Sequence, residues 1–206
     1  MRSFATALFA GALLAGAIPA AAQVPGIELR LNPRIGLYVP VTDLGEFTSG
    51  TGTTTVRMDN SLAIGLGAEL QLAALPFGIR ANLDYATGSR VNLESGGVEQ
   101  EGSEATLLAV VGDLVFRPLP KIVALQPYLF AGGGLKQYDF ETETAGSFES
   151  ESDPTIHLGF GLDFGFGPLA LNAELGDYIS WFAFTDQESK MQHDLFLTVG
   201  FAIGLL

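Results

Sequence analysis

The chain contains no cysteine. That excludes a disulfide framework, a thiolate metal centre, a cysteine nucleophile and a lipid anchor on a cysteine exposed by cleavage. Basic side chains are scarce: 10 Lys and Arg stand against 23 Asp and Glu, a formal charge of −13. Phosphate binding needs a basic stripe, so no nucleic-acid partner is expected. Long apolar runs are also missing, apart from residues 4–18. That run is shorter than the roughly 20 residues of a spanning helix. It follows Arg2 and ends in Pro19-Ala20-Ala21-Ala22, a basic n-region, an apolar h-region and a small-residue cleavage site. Residues 1–22 are therefore expected to be a secretory signal peptide and 23–206 a single domain. Losing Arg2 with the leader takes the formal charge from −13 to −14.

What the chain does have is alternation. Ile156, Leu158, Phe160, Leu162, Phe164 and Phe166 share one parity, and His157, Gly159, Gly161, Asp163 and Gly165 the other. A strand sends successive side chains to opposite faces, whereas a period of two smears around a helix. The pattern recurs seven more times. Strand one (27–41) sets Leu29, Leu31, Ile35 and Leu37 against Glu28, Arg30, Arg34 and Tyr38. Pro33 falls on its apolar parity, which suggests a bulge or a rim. Strand two (58–72) opposes Leu62, Ile64, Leu66 and Leu70 to Gly65, Gly67, Glu69 and Gln71. Strand three (79–85) opposes Ile79, Leu83 and Tyr85 to Arg80, Asn82 and Asp84. Strand four (104–116) has Leu108, Val110, Leu114 and Phe116 opposite Asp113. Leu107, Val111 and Val115 share the parity of Asp113. Strand five (127–138) is ambiguous, because Tyr128 and Phe130 share a face with Lys136, and a bulge at Gly132-Gly133-Gly134 would reset it. Strand six is the segment first described. Strand seven opposes Leu169, Leu171, Leu175 and Ile179 to Asn172, Glu174 and Tyr178. Strand eight opposes Leu195, Leu197, Val199 and Phe201 to Asp194, Thr198 and Gly200.

The connections after strands one, three, five and seven (42–55, 87–103, 140–153 and 185–190) are long and polar, and those between are short. This is the pattern of a membrane barrel with both termini on one side. A soluble barrel of this size would turn its apolar side inward around a ligand and crowd its outer face with Lys, Glu and Thr. Here the polar parity is dominated by Gly and Ala, as a crowded eight-stranded lumen requires, while the bulky Leu, Ile and Phe suit lipid. Tyr85 and Trp181 fall near one end of their strands and Phe77, Phe116 and Phe166 near the other, as in two interfacial girdles. The fold class is therefore an all-β, eight-stranded, antiparallel up-and-down transmembrane β-barrel.

The segments Pro33-Arg34-Ile35-Gly36-Leu37-Tyr38 and Gln126-Pro127-Tyr128-Leu129-Phe130-Ala131-Gly132-Gly133-Gly134, with the final amphipathic strand, carry a resemblance to the small eight-stranded outer-membrane barrels of the OmpA/OmpX type. The resemblance spans the whole mature chain. It implies a monomeric barrel in a Gram-negative-type outer membrane, with outer-membrane lipid and the barrel assembly machinery as partners. That family ends in a lipid-facing aromatic read by the machinery, and this chain departs from it, ending Gly204-Leu205-Leu206 with Phe201 as its last aromatic.

The candidate site is the set of charges on the inward parity: Glu28, Arg30, Arg34, Glu69, Arg80, Asp84, Asp113, Arg117, Lys136, Asp163 and Glu174. Eight strands leave no continuous water channel, so these charges read as a paired network plugging the lumen, with a selectivity lining as the alternative. His157 and His193 read as residues of a polar rim. Thr155 near His157 and Asp194 beside His193 do not build the nucleophile, base and orienting group of a hydrolase, so no enzyme is expected. No cofactor is implied. The acidic residues between 140 and 153 lack Ca²⁺-loop spacing, and the glycine runs lack the Lys and Ser/Thr of a phosphate loop. The expected role is structural or surface-interactive, with a lipid A-modifying barrel enzyme or a narrow pore as alternatives.

Overall fold

In a computed structural model of the protein, residues 26–49, 52–72, 75–95, 98–119, 124–140, 151–166, 168–182 and 190–205 are described. The expected leader lies outside them. The ordered elements are all strands: β1 (Ile27–Pro40), β2 (Gly45–Ser49), β3 (Gly52–Met58), β4 (Ser61–Leu72), β5 (Phe77–Ser95), β6 (Val98–Phe116), β7 (Leu125–Phe140), β8 (Glu151–Phe166), β9 (Leu169–Phe182) and β10 (Lys190–Gly204). No described helix is long and apolar enough to cross a membrane.

Eight strands close on themselves in the order β1, β4, β5, β6, β7, β8, β9, β10, each antiparallel to its neighbours, with β10 returning to β1. The register can be followed once round the wall. Pro127 pairs with Leu162, Leu162 with Ala173, Ala173 with Val199 and Val199 with Ile35. Ile35 pairs with Ile64, Ile64 with Tyr85, Tyr85 with Leu108 and Leu108 with Gln137. The circuit returns to β7 ten residues from its start (137 − 127 = 10). A shear of ten over eight strands tilts them by about 40°, within the range that closes such a barrel.

The two parities separate as lipid and lumen would require. Ile79 is 61% exposed, Leu135 58% and Phe160 56%, while the intervening Arg80, Lys136 and Asp163 are buried. Soluble proteins do not leave a continuous ring of Leu, Ile, Val and Phe in water. Closure also leaves no open edge within the wall, as hydrocarbon demands. Phe77 and Phe116 pack with ring centroids 5.1 Å apart at the short-turn end, and Trp181 is half exposed at the other. The side chain of Phe166 lies outside the described residues.

Four sequence-based expectations are corrected. Residues 42–55 are not a loop throughout. β2 and β3 form a hairpin there, and β3 pairs with the far end of β5. The sequence Thr53-Thr54-Thr55-Val56 is β-branched, and such residues favour extended backbone. Residues 87–103 are likewise largely strand, because β5 and β6 run on as a paired ribbon to Ser95 and Val98. A register shift lies between Ala86 and Ser89, where Gly88 has φ +70°. It moves the inward parity from Asp84 and Ala86 to Ser89 and Val91, all buried. The Gly132-Gly133-Gly134 run makes no bulge, for β7 holds one register with β6 and one with β8 throughout. Pro33 sits mid-sheet, opposite Leu66 in an unbroken ladder to β4. The cost appears on the other side, where the pairing to β10 lapses between Leu31 and Arg34 and resumes in the same register. Proline has no N–H to give that neighbour.

Candidate functional site: the barrel lumen

Because β7 keeps its parity, Tyr128, Phe130, Lys136 and Tyr138 all point inward. The room for two of these rings is left by β8. A Cβ on Gly159 would run into Cζ of Phe130, and one on Gly161 would run into Cζ of Tyr128. The small residues of β8 and the aromatics of β7 are two halves of one packing arrangement. Gly161→Ala therefore drives a methyl into a ring whose hydroxyl is held by Asn172 and Glu174, and overpacking of this kind costs about 1–3 kcal/mol. We expect a lower midpoint in denaturant unfolding from detergent micelles, and an unchanged midpoint would contradict this packing.

Nine of the eleven inward charges singled out from the sequence meet in the half of the lumen nearer the short turns. Arg30 donates to Asp163 at 3.0 Å. Arg117 donates to Asp163 at 2.8 Å and makes a two-pronged contact with Glu69 at 3.1 and 2.9 Å. Arg34 donates to Glu174 at 2.7 Å and to Asp84 at 2.9 Å. Arg80 donates to Glu174 at 2.6 Å and to Asp113 at 3.1 Å. Neutral groups join the two halves: Asn172 donates to Asp163 and to the Tyr128 hydroxyl, which donates to Glu174. Rings stack on the cations, with Arg117 4.4 Å over Tyr128 and Arg80 4.5 Å over Phe130. Glu28 sits 3.6 Å from Arg30 nearer the opening.

A second node lies toward the long-loop end. Lys136, fully buried, donates to Asp194, and Tyr38 and Tyr138 each donate to the same carboxylate at 2.6 Å. Around it lies an apolar cluster of Tyr38, Leu44, Val56, Met58, Val91, Leu107 and Phe196, with Ser61, Ser89 and Gln192 also buried at this end. The β2–β3 hairpin contributes Val56 and Met58, and Leu44, from the segment expected to be loop, joins them in filling the outer lumen.

Sequence reasoning missed Asp194, Tyr38, Tyr128, Tyr138 and Tyr178 as members of these nodes. It also misplaced His157. That residue is not at a rim but buried in the lumen, with Nδ1 2.9 Å from Asp113 and its ring stacked 4.1 Å from Tyr178, which donates to Asp84. His193 has the other parity and faces outward, with Nδ1 2.7 Å from Oδ2 of Asp177. Its position two residues from Leu195 on the apolar parity was the available signal. Among the described residues no group of His, Cys, Asp and Glu is arranged to hold a metal ion.

No family model matches the chain, and no curated protein matches it. Solved structures do. The outer membrane protein OprG from Pseudomonas aeruginosa is 14% identical, with a TM-score of 0.62 over 86% of this chain and 95% of its own. A major outer membrane protein from Thermus thermophilus is 13% identical, with a TM-score of 0.54 over 87% and 99%. Neisserial surface protein A is 10% identical, with a TM-score of 0.52 over 86% and 96%. At these identities the likeness is one of fold. With its closed wall, exposed apolar belt and filled lumen, the chain has the eight-stranded antiparallel β-barrel fold of these outer-membrane proteins.

Proposed function

We propose that the protein resides in the outer membrane as a monomeric, closed barrel with a structural or surface-interactive role, its lumen plugged rather than conducting. The observation that carries this reading is the filling of the lumen at both levels. An ionic network occupies one half, and the Lys136–Asp194 node with the apolar cluster occupies the other. A buried charge is tolerated where it is paired, and here each of Arg34, Arg80 and Arg117 reaches two carboxylates. Such an interior supports a wall of fixed shape, from which the β2–β3 hairpin and the β5–β6 ribbon project beyond the lipid belt. The reading is non-enzymatic. His157 is sealed inside, and no described hydroxyl donates to either ring nitrogen of His193. The reading rests on outer-membrane lipid as the surrounding medium and on the barrel assembly machinery for insertion.

A narrow pore is the second reading, favoured by Oδ1 of Asn32 and Oε1 of Gln71, buried acceptors without a protein partner that an entering water would meet. Planar-bilayer recording of the purified protein separates the two. The plugged reading predicts no sustained conductance in molar salt. Steady openings altered by Arg34→Ala or Asp163→Ala would replace it with the pore.

A further inference from the structure

The node near the long-loop end carries more negative charge than its ammonium answers. The buried charged side chains there are Lys136, Asp153 and Asp194, one ammonium against two carboxylates. Asp194 takes the Lys136 ammonium, and Asp153 on β8 is the cross-strand neighbour of Lys136. Tyr38 and Tyr138 bring hydroxyl protons to Asp194 but no charge. Arg57, Arg90 and Lys190 are exposed and add nothing to the buried count. An uncompensated charge in a low-dielectric interior is costly, far more so than an uncompensated dipole.

The same wall offers oxygen ligands. Thr155 on β8, Ser180 on β9 and Gln192 on β10 are successive cross-strand neighbours and all are buried, so they form one inward row beside Asp153. Neighbours in such a row stand about 5 Å apart. Ser180 is fully buried, yet its hydroxyl has no hydrogen-bond partner. Thr155 Oγ1 donates to the Ile179 carbonyl at 3.0 Å, which uses its proton and leaves its lone pairs. Gln192 is oriented by donating to the Asp43 carbonyl at 3.1 Å and by accepting from Thr42 Oγ1 at 2.6 Å. A carboxylate, two hydroxyls and an amide oxygen are hard ligands, suited to alkali or alkaline-earth ions. Among the described residues there is no multi-acid cluster of the kind a divalent ion favours, and the deficit is a single charge.

We propose that the outer lumen binds one monovalent alkali cation between Asp153, Thr155, Ser180 and Gln192, and that this ion completes the charge balance of the Lys136–Asp194 node. The inference rests on the plugged lumen, because an ion held for charge balance is a part of the plug.

The test uses the full chain purified in mild detergent and exchanged into choline chloride, whose cation is too large for the site. Thermal midpoints are followed by the fluorescence of the single tryptophan, Trp181, as Na⁺ or K⁺ replaces choline at constant ionic strength. Wild type should gain stability along a saturating one-site curve with at least one of the two ions. Asp153→Asn should move that curve to roughly tenfold higher ion concentration, since ligand charge sets the affinity of such sites. Ser180→Ala removes no described hydrogen bond and so gives the sharper comparison. In choline chloride it should be at least as stable as wild type, because a buried hydroxyl without a partner is lost. In the stabilising alkali ion it should be the less stable of the two. A midpoint indifferent to both ions would overturn the site, as would a Ser180→Ala variant that responds like wild type. Saturation by Ca²⁺ at lower concentration would overturn the monovalent assignment. Stabilisation by acid alone in choline chloride, abolished by Asp153→Asn, would overturn it too, since a proton would then supply the charge. Sustained conductance of wild type in planar bilayers would instead overturn the plugged reading beneath it.

Discussion

Glu174→Ala should be among the most damaging single substitutions in this protein. Glu174 accepts from Arg34 at 2.7 Å, from Arg80 at 2.6 Å and from the Tyr128 hydroxyl at 2.7 Å. Removing it leaves two guanidiniums buried with half their partners, and breaking a buried ionic cluster by deleting one member costs about 3–5 kcal/mol. Arg34 retains Asp84 and Arg80 retains Asp113, so the loss should fall within that range and the barrel should still close. The readout is the temperature at which the fast SDS-gel band converts to the slow one, with denaturant midpoints for the free energy. Glu174→Gln, which keeps the shape and an acceptor oxygen, should fall between the two. A Glu174→Ala barrel as stable as wild type would mean that the network contributes nothing to holding the wall.

Asp194→Ala should be comparably severe for a different reason. Lys136 is fully buried beside an apolar cluster, and Asp194 is its salt-bridge partner among the described residues. Deleting the carboxylate breaks that ion pair and takes the acceptor from the hydroxyls of Tyr38 and Tyr138. We expect a loss of about 3–5 kcal/mol. Combining it with Lys136→Met should restore much of that loss, because replacing both partners of a buried pair by apolar groups is often neutral or stabilising. Denaturant unfolding of the two single variants and the double variant gives the coupling directly. If Asp194→Ala and the double variant are equally unstable, the ammonium is not the source of the damage.

How much of this was legible in the sequence varies from strand to strand, for physical reasons. β8 and β10 alternate cleanly because bulky apolar residues face lipid and glycines or polar residues fill the lumen. β7 was not legible by that rule, since its inward residues Tyr128 and Phe130 are as apolar as anything on the belt. Only the glycines opposite them on β8, Gly159 and Gly161, explain why rings fit inside. The charges of the ionic network could be placed on the inward parity one strand at a time. Which cation meets which carboxylate could not, because Arg34 and Glu174 are 140 residues apart and are brought together by the ten-residue shear. His157 was misjudged because alternation gives the face of a residue but not its depth. The β2–β3 hairpin was hidden by Gly and Thr, which are common in both loops and ribbons.

The absence of cysteine makes the central claim, that lipid is outside and the polar network inside, open to a direct measurement. Single cysteines at Leu135, Leu158, Leu197 and Val199, all outward and exposed, can each carry a spin label in the protein reconstituted into vesicles. The account predicts that all four labels collide with oxygen dissolved in the bilayer and are shielded from a water-soluble nickel relaxant. Strong nickel collisions at these four sites would mean that the belt faces water, and the barrel would then not be a membrane protein.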